Sequence, residues 1–387
     1  MKFYDLKIYD NVPDDWSQYF DYNEDLSYLQ REMDKVDFAF KNVVIIGNGG
    51  SISSFNAYSI CCSKDTFIVN SMDPALLRKV KRSCPPASTV VVAISKSGNT
   101  LGVIEALMEF IHYKVIVVTE GEDGTLRQIA KKLDWQTVEH PNISGRYSGA
   151  TAAGLFPAML CGVKVGQILE GIKSGYGYKK EAFSLAKYYY DLEHKGYLEV
   201  YISAYPWLLY NFRTLIIQLM HESVCKDGQG QTFYFSEAPE SQHHTNQRFF
   251  GGKKNIIGTF ITSKTWWDDL PADASRPAMQ AGKKIEVPKE LAGLELKGLE
   301  LKKLGGISYQ QALNAEYHGT KTEADKLGIP NVTIELPDIT NQTVGELLSF
   351  WQLVAFYSAI LRDVDPFNEP AVANSKNITI EEIKKLT

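Results

Sequence analysis

Two glycine- and hydroxyl-rich segments of the chain could bind a phosphate group. The first is Gly47-Asn48-Gly49-Gly50-Ser51, and the second is Ser95-Lys96-Ser97-Gly98-Asn99-Thr100. Each follows an apolar run and precedes a helix-like segment, so its free backbone N–H groups and hydroxyls can surround a tetrahedral anion. Either segment alone could instead be an ordinary helix cap. Neither has the spacing of a dinucleotide fingerprint or the ending of a nucleotide P-loop, which disfavours those ligands.

An arginine lies in a third loop, Asn142-Ile143-Ser144-Gly145-Arg146-Tyr147-Ser148. The guanidinium of an arginine in such a tight turn, which we expect to be buried, requires an anion or a carboxylate as its partner. That partner could be a substrate, or it could be the acidic half of a structural salt bridge.

Candidate acid–base groups lie in the second half of the chain. Gln218 and Glu222 are four residues apart in a helix-like run, so both can face one cavity, although Glu222 could also be a solvated helix residue. His243 and His244 are adjacent and point in different directions on any regular element, so they cannot chelate one metal ion as an i, i+4 pair does. We expect one of them to be catalytic and the other structural.

The strands and helices predicted around these residues follow a repeated α/β pattern. Apolar β-branched runs alternate with helix-like segments, which predicts parallel sheets covered on both faces. The pattern restarts near Gly196, and 387 residues exceed what one hydrophobic core usually serves, so we predict two domains. The predicted strands lie near 42–46, 66–69, 89–94, 114–119, 198–203, 255–261, 284–287 and 331–336, with helices near 180–195 and 343–361. In the last helix we expect Phe350, Trp351 and Phe356 to be core residues.

Composition narrows the class of protein further. Hydrophobic residues make up 44% of the chain and charged residues 22%, as in a globular protein with a full core. The formal charge of −5 and the lack of a basic block argue against nucleic acid and anionic membrane as partners. The 5 cysteines have no zinc-site spacing, so we expect reduced, buried thiols and no metal. The start of the chain lacks the apolar core of a signal peptide, which indicates the cytoplasm.

In this order, the motifs resemble those of the phosphoglucose isomerase family, whose chains contain two sugar isomerase (SIS) domains. The resemblance implies an α/β fold of two SIS-type three-layer domains with mostly parallel five-stranded sheets, spanning 1–195 and 196–340, and C-terminal helices at 341–387. The matching segments are Gly47 to Ser51, Ser95 to Thr100, Ser144 to Ser148 with Gly154-Leu155, Gln218 to Ser223, Gln242-His243, and Asp365 to Val372 followed by Lys376.

The resemblance also implies an activity and a set of site residues. The activity is interconversion of glucose 6-phosphate and fructose 6-phosphate through a cis-enediol, with Glu222 as base and Arg146 stabilising the enediolate. His243 and Lys376 would open the sugar ring, and a neighbouring subunit would donate the histidine, so we expect a homodimer. The residues implied to bind substrate are Gly50, Ser51, Ser95, Lys96, Ser97 and Thr100, with Gln218 aiding positioning. No cofactor or metal is implied.

The sequence departs from the family pattern at three positions. Ser144 replaces a glycine, Pro141 replaces an acidic residue, and Glu369 stands where the family usually has a glutamine that contacts substrate. A carboxylate near a bound phosphate would be repelled, so Glu369 turns away, is partnered or marks a changed substrate. The alternatives are therefore a dual-specificity phosphoglucose/phosphomannose isomerase, an isomerase of another hexose phosphate and, from a different class, a non-catalytic sugar-phosphate sensor.

Overall fold

The computed structural model describes residues 1–13, 22, 24–121, 123–264 and 283–386. The strands are β1 (Lys2–Tyr4), β2 (Asn42–Gly47), β3 (Asp65–Val69), β4 (Thr89–Ile94), β5 (Lys114–Thr119), β6 (Gln136–Glu139), β7 (Glu199–Ala204), β8 (Thr232–Glu237), β9 (Ile256–Ser263), β10 (Glu295–Leu296), β11 (Leu299–Glu300) and β12 (Asn331–Leu336). The α-helices are α1 (Leu26–Asp34), α2 (Gly50–Tyr58), α3 (Pro74–Ser83), α4 (Leu101–Leu107), α5 (Thr125–Lys132), α6 (Ala152–Leu160), α7 (Val165–Gly175), α8 (Lys179–Glu193), α9 (Arg213–Val224), α10 (Thr245–Gly251), α11 (Tyr309–Lys326), α12 (Asn341–Ile360) and α13 (Ala373–Lys384).

The first five-stranded sheet is entirely parallel, in the order β3-β2-β4-β5-β6. Its central strands β2 and β4 are buried along their whole length. Continuous runs of β-branched residues suit strands that are covered on both faces, which is why the sequence signal was strong here. Because β2 and β4 are parallel neighbours, the loops that follow them lie together at the carboxyl-terminal ends of the strands.

The second five-stranded sheet has the order β1-β12-β9-β7-β8. Its pairs are parallel except that β1 runs antiparallel to β12. Two mostly parallel five-stranded sheets with covering helices confirm the predicted fold class. The leading strand β1 therefore completes the second sheet, and the domain boundaries given above stay a prediction.

Helix α12 is the centre of the largest core cluster. It packs against α7, α8 and α9, and its residues Phe350, Trp351 and Phe356 are fully buried, which confirms their predicted core role. Among the described helices it is the one that is long and apolar enough to cross a membrane, but 94% of that stretch is buried inside the protein. It is a core helix, and the Thr340 side chain caps its N-terminus.

The structure corrects two predictions made from the sequence. The segment 284–287 is not a strand: it forms one isolated bridge, between Lys284 and Ser308, and it is largely exposed beside Pro288. Its backbone pairs with the loop before α11, where Ile285 N donates to the Ile307 carbonyl at 2.8 Å, but this pairing is too short to form a strand. Cys225 is exposed, whereas the other four cysteines are buried as expected. It follows the last residue of α9, where the chain leaves the core.

Candidate active site

Arg146 is the centre of the candidate site. It lies in a 3₁₀ segment, Gly145–Ala150, after the last strand of the first sheet, and its side chain is 2% exposed. A guanidinium has five N–H groups and no acceptor. Every one of them has an acceptor here: Nε donates to Ser223 Oγ (2.8 Å), Nη1 to Glu222 Oε2 (3.2 Å) and Glu369 Oε2 (2.8 Å), and Nη2 to the carbonyls of Pro366 (2.8 Å) and Asn368 (3.0 Å).

These contacts join three distant parts of the chain. Glu222 and Ser223 belong to α9, and the carbonyls and Glu369 belong to the loop that precedes α13. A buried cation is stable only when its charge is paired and its N–H groups are bonded. Arg146 therefore fixes the position of the loop before α13 as well as facing Glu222.

Glu222 lies on the side of α9 that faces Arg146. Gln218, one helical turn earlier, donates from Nε2 to Glu222 Oε2 at 3.0 Å, so one carboxylate oxygen receives both the amide and the guanidinium. The Glu222 side chain is 29% exposed, which leaves it accessible from solvent. The buried Oε1 of Gln218 has no hydrogen-bond partner within the described residues. The pair is oriented by hydrogen bonds and still open to a ligand.

The first glycine-rich segment packs directly against the arginine loop. A Cβ at Gly50 would lie 2.6 Å from the backbone nitrogen of Arg146, so only glycine fits there without moving the loop. Gly49 has a φ of +55°, and a Cβ on it would lie 3.1 Å from Gln218 Nε2. The turn thus places the N-terminus of α2 beside both Arg146 and Gln218, and half-buried Ser51 follows. Such an N-terminus favours an anion.

The second hydroxyl-rich loop leaves the same sheet edge, because β2 and β4 pair in parallel with Gly47 opposite Ile94. Within it, the buried Ser95 Oγ lies 2.8 Å from Thr100 Oγ1. Lys96 Nζ donates to Asn142 Oδ1 at 2.8 Å and lies 3.8 Å from Glu120 Oε2. The Ser97 hydroxyl accepts from the backbone nitrogen of Asn99 (3.2 Å), and Ser97 is exposed. The loop presents hydroxyls and a cation together.

His243 and Lys376 are not joined to this group. His243 lies in the 3₁₀ helix Glu240–His243 and is exposed, and Lys376 lies on α13, which has no buried residue. No hydrogen bond or ion pair links either side chain to Arg146 or Glu222 in the part of the chain that the structure describes. The neighbouring His244 is also exposed, and its Nδ1 lies 2.7 Å from Thr245 Oγ1.

Lys226 was not among the predicted site residues, although it lies close to the Arg146 group. Lys226 lies four residues after Glu222, and its Nζ donates to the carbonyls of Ser223 (2.8 Å) and Asp365 (2.5 Å). Burial lowers the pKa of Lys226, and the Arg146 charge lowers it further. Lys226 lies beyond the last residue of α9, Val224, so no helical spacing in the sequence marked it. Among the described residues, no group of three His, Cys, Asp or Glu side chains could hold a metal ion.

Known proteins are similar in sequence to this chain along most of its length. A protein of Natronomonas pharaonis named probable glucose-6-phosphate isomerase is 28% identical over 350 residues, covering 85% of this chain and 76% of the relative. The glucose-6-phosphate isomerase of Methanocaldococcus jannaschii is 27% identical, over 89% of this chain and 85% of its own length. No profile of a known protein family matches the sequence.

Solved structures agree in fold. A hypothetical protein from Thermus thermophilus aligns with a TM-score of 0.79 at 21% identity, over 92% of this chain and 87% of that one. A glucose-6-phosphate isomerase from Chlamydia trachomatis aligns with a TM-score of 0.73 at 17% identity, over 93% of this chain and 74% of that one. The fold is therefore shared with a solved glucose-6-phosphate isomerase. The sequence relatives confirm the predicted resemblance: the chain is similar, along most of its length, to proteins named glucose-6-phosphate isomerase.

Proposed function

We propose that this protein interconverts glucose 6-phosphate and fructose 6-phosphate by moving a proton between C1 and C2 of the open-chain sugar. The observation that carries the proposal is the contact between Glu222 and Arg146 beside the Gly49-Gly50 turn. Isomerisation through an enediol needs a base above the two carbons and a positive group beside the oxygen that becomes negative. A carboxylate and a guanidinium held side by side supply both.

In the proposed reaction, Glu222 takes the proton from one carbon and returns it to the other. Gln218 orients the carboxylate, and the Arg146 guanidinium lowers the energy of the enediolate. The phosphate binds at the edge of the first sheet, to Ser51 and the N-terminus of α2 and to the second loop. The members of that loop assigned to the phosphate are Ser95, Lys96, Ser97 and Thr100.

We assign ring opening to His243 and Lys376, with the histidine supplied by a second copy of the chain in a homodimer. Two observations support this assembly. His243 is exposed and no hydrogen bond joins it to Arg146 or Glu222 among the described residues, and α13 exposes apolar residues such as Ile378 (53%) and Ile383 (37%). Exposed apolar residues that form one patch can mark a contact with another protein chain. The proposal includes a cytoplasmic location, no cofactor and no metal.

A coupled assay tests the function. Fructose 6-phosphate is supplied with a chelator, and glucose 6-phosphate is detected through NADPH formed by its dehydrogenase. We expect turnover that the chelator does not change, and no turnover would refute the proposal. Mannose 6-phosphate, assayed by fructose 6-phosphate formation, should react far more slowly than glucose 6-phosphate. The dual-specificity and sensor alternatives are not favoured, because the curated relatives carry the name of the glucose enzyme.

A further inference from the structure

The guanidinium of Arg146 has no free N–H group in this structure. Its five donors meet five acceptors, and two of these acceptors are the carboxylates of Glu222 and Glu369, which share Nη1. An enediolate oxygen that binds Arg146 must therefore replace one of these acceptors.

Four of the five acceptors are held in place. Ser223 is buried, and its hydroxyl also contacts Tyr147 at 3.0 Å. The two carbonyls belong to the backbone of the loop before α13, and Glu222 is held by Gln218. Glu369 is different, because its side chain is 38% exposed and Arg146 is the one hydrogen-bond partner found for it among the described residues. Glu369 can swing into solvent without leaving a buried polar group unpaired.

We propose that Glu369 is a specificity-determining latch on Arg146. Its carboxylate occupies the N–H group that the negatively charged oxygen of the reacting sugar needs, and it is displaced when that oxygen develops its charge. This inference rests on the proposed function of the site. It accounts for the departure noted in the sequence, since a carboxylate in place of a glutamine is here paired with the arginine.

The like charges of the site make the displacement feasible. Glu222 and Glu369 both approach Nη1, at 3.2 and 2.8 Å, so each carboxylate weakens the hold of the guanidinium on the other. A third negative oxygen at the same nitrogen would be repelled by both. Release of Glu369 removes one of these repulsions. The neutral carbonyl of the substrate forms a weaker hydrogen bond with Arg146 than a charged oxygen does, so it does not displace Glu369. The latch therefore discriminates between a charged and an uncharged oxygen at C1 and C2.

Two ligands that differ in one charge test the latch. 5-Phosphoarabinonate carries a carboxylate where the enediolate would be, and glucitol 6-phosphate has the same phosphate but only hydroxyls there. Binding of both is measured by calorimetry on the full chain, for the wild type and for Glu369→Gln. We expect the carboxylate ligand to bind Glu369→Gln about tenfold more tightly, from the strength of hydrogen bonds to charged groups. Glucitol 6-phosphate should change less than about threefold, since general repulsion at a surface charge is weak.

Two further variants separate the contact from the charge. Glu369→Asp keeps the charge but shortens the side chain, so it should also bind the carboxylate ligand more tightly. Asp363→Asn removes a charge from an exposed, left-handed position of the same loop, where asparagine is tolerated, and should change neither ligand. In turnover, Glu369→Gln should raise kcat/KM. Equal tightening of both ligands in Glu369→Gln would show simple charge repulsion and overturn the latch.

Other outcomes are equally decisive. If the wild type isomerises the substrate and Glu369→Gln binds the carboxylate ligand no better, the latch is wrong and the proposed function stands. Loss of turnover in Glu369→Gln with unchanged binding would make Glu369 a catalytic residue and also overturn the latch. A wild type that neither turns over hexose phosphate nor binds either ligand would refute the proposed function, and the latch with it.

Discussion

Nη1 of Arg146 lies 3.2 Å from Oε2 of Glu222, although the two residues are 76 positions apart in the sequence. The contact connects the loop after the first sheet with α9, next to the turn at Gly49-Gly50. A buried cation beside a partly exposed carboxylate is an arrangement that can stabilise a negative oxygen and remove a proton in the same place.

Replacing Arg146 with lysine should damage both catalysis and folding. A lysine ammonium cannot bond at once to the Ser223 hydroxyl, the carboxylates and the backbone carbonyls. The carbonyls of Pro366 and Asn368 therefore lose their donors. We expect kcat to fall about a hundredfold or more, the scale seen when one oxyanion donor is lost. The free energy of unfolding should fall by about 1–3 kcal/mol for the unpaired groups. Steady-state kinetics and urea unfolding measure the two effects.

Arg248 offers the matched control for that substitution. Arg248 lies on α10 and forms an ion pair at 2.8 Å with Glu199 of β7, and both side chains are partly exposed. Arg248→Lys should leave kcat unchanged and alter the free energy of unfolding by less than about 1 kcal/mol. If Arg146→Lys behaves like Arg248→Lys, the central position given to Arg146 is wrong.

A methyl group at position 50 should displace the loop that carries Arg146. The added Cβ of Gly50→Ala would lie 2.6 Å from the Arg146 nitrogen and 2.7 Å from the Gly145 carbonyl carbon, so the arginine loop must shift. We expect a loss of about 1–3 kcal/mol in unfolding free energy, as for other overpacked positions, together with a lower kcat. Gly177→Ala is the control, because nothing lies within 4 Å of its added Cβ. Equal behaviour of the two variants would contradict the close approach.

The stability of the protein should fall as the solution becomes acidic, in part because of His221. Its Nε2 accepts a hydrogen bond from the Phe233 nitrogen (2.8 Å), and burial lowers the pKa of the imidazole. The unfolded histidine, with a pKa of about 6.5, then binds a proton more readily than the folded one. The contribution is complete above that pH and is lost as the pH falls below it.

Urea unfolding at pH 7.5 and 5.5 measures this effect. The wild type should lose more unfolding free energy between the two values than His221→Gln, whose amide oxygen can still accept from Phe233. His112→Gln, at an exposed position, should track the wild type. The same pH dependence in all three proteins would show that His221 does not contribute.

Much of the fold follows from local sequence. Strands such as β2, β4 and β5 are continuous β-branched runs, and burial on both faces makes such runs recognisable. The edge strands β6 and β8 were missed because Gln136 to Glu139 is polar and Thr232 to Glu237 is only partly buried. The false strand at 284–287 shows the reverse error, since alternation alone does not supply a partner strand.

The candidate site, like the fold, has parts that the sequence predicts and parts that it does not. The one-turn spacing of Gln218 and Glu222 is local and could be read from the sequence. The pairing of Glu369 with Arg146 depends on how the loop before α13 packs 223 residues further along the chain, which no local pattern encodes. The ring-opening roles of His243 and Lys376 stay predictions, because no hydrogen bond or ion pair joins these side chains to Arg146 or Glu222 in the described part of the chain.

Mixing two inactive variants tests the shared site. If a partner donates His243, a dimer of one Glu222→Gln chain and one His243→Ala chain contains one intact site. Random reassociation of equal amounts should then restore about a quarter of the wild-type activity, as expected for a twofold-symmetric dimer. The separate variants, taken through the same unfolding and refolding, are the controls. No recovery from a mixture that contains the mixed dimer would place both residues in one chain or outside the site.

Proton exchange at the sugar carbons shows whether Glu222 is the base. Fructose 6-phosphate is incubated in D₂O with a chelator, and deuterium at C1 of fructose 6-phosphate and C2 of glucose 6-phosphate is followed by NMR. We predict that the wild type incorporates deuterium while it isomerises, and that Glu222→Gln does neither above about one hundredth of that rate while it still binds 5-phosphoarabinonate. Exchange by Glu222→Gln at the wild-type rate would contradict the role of Glu222 as the base.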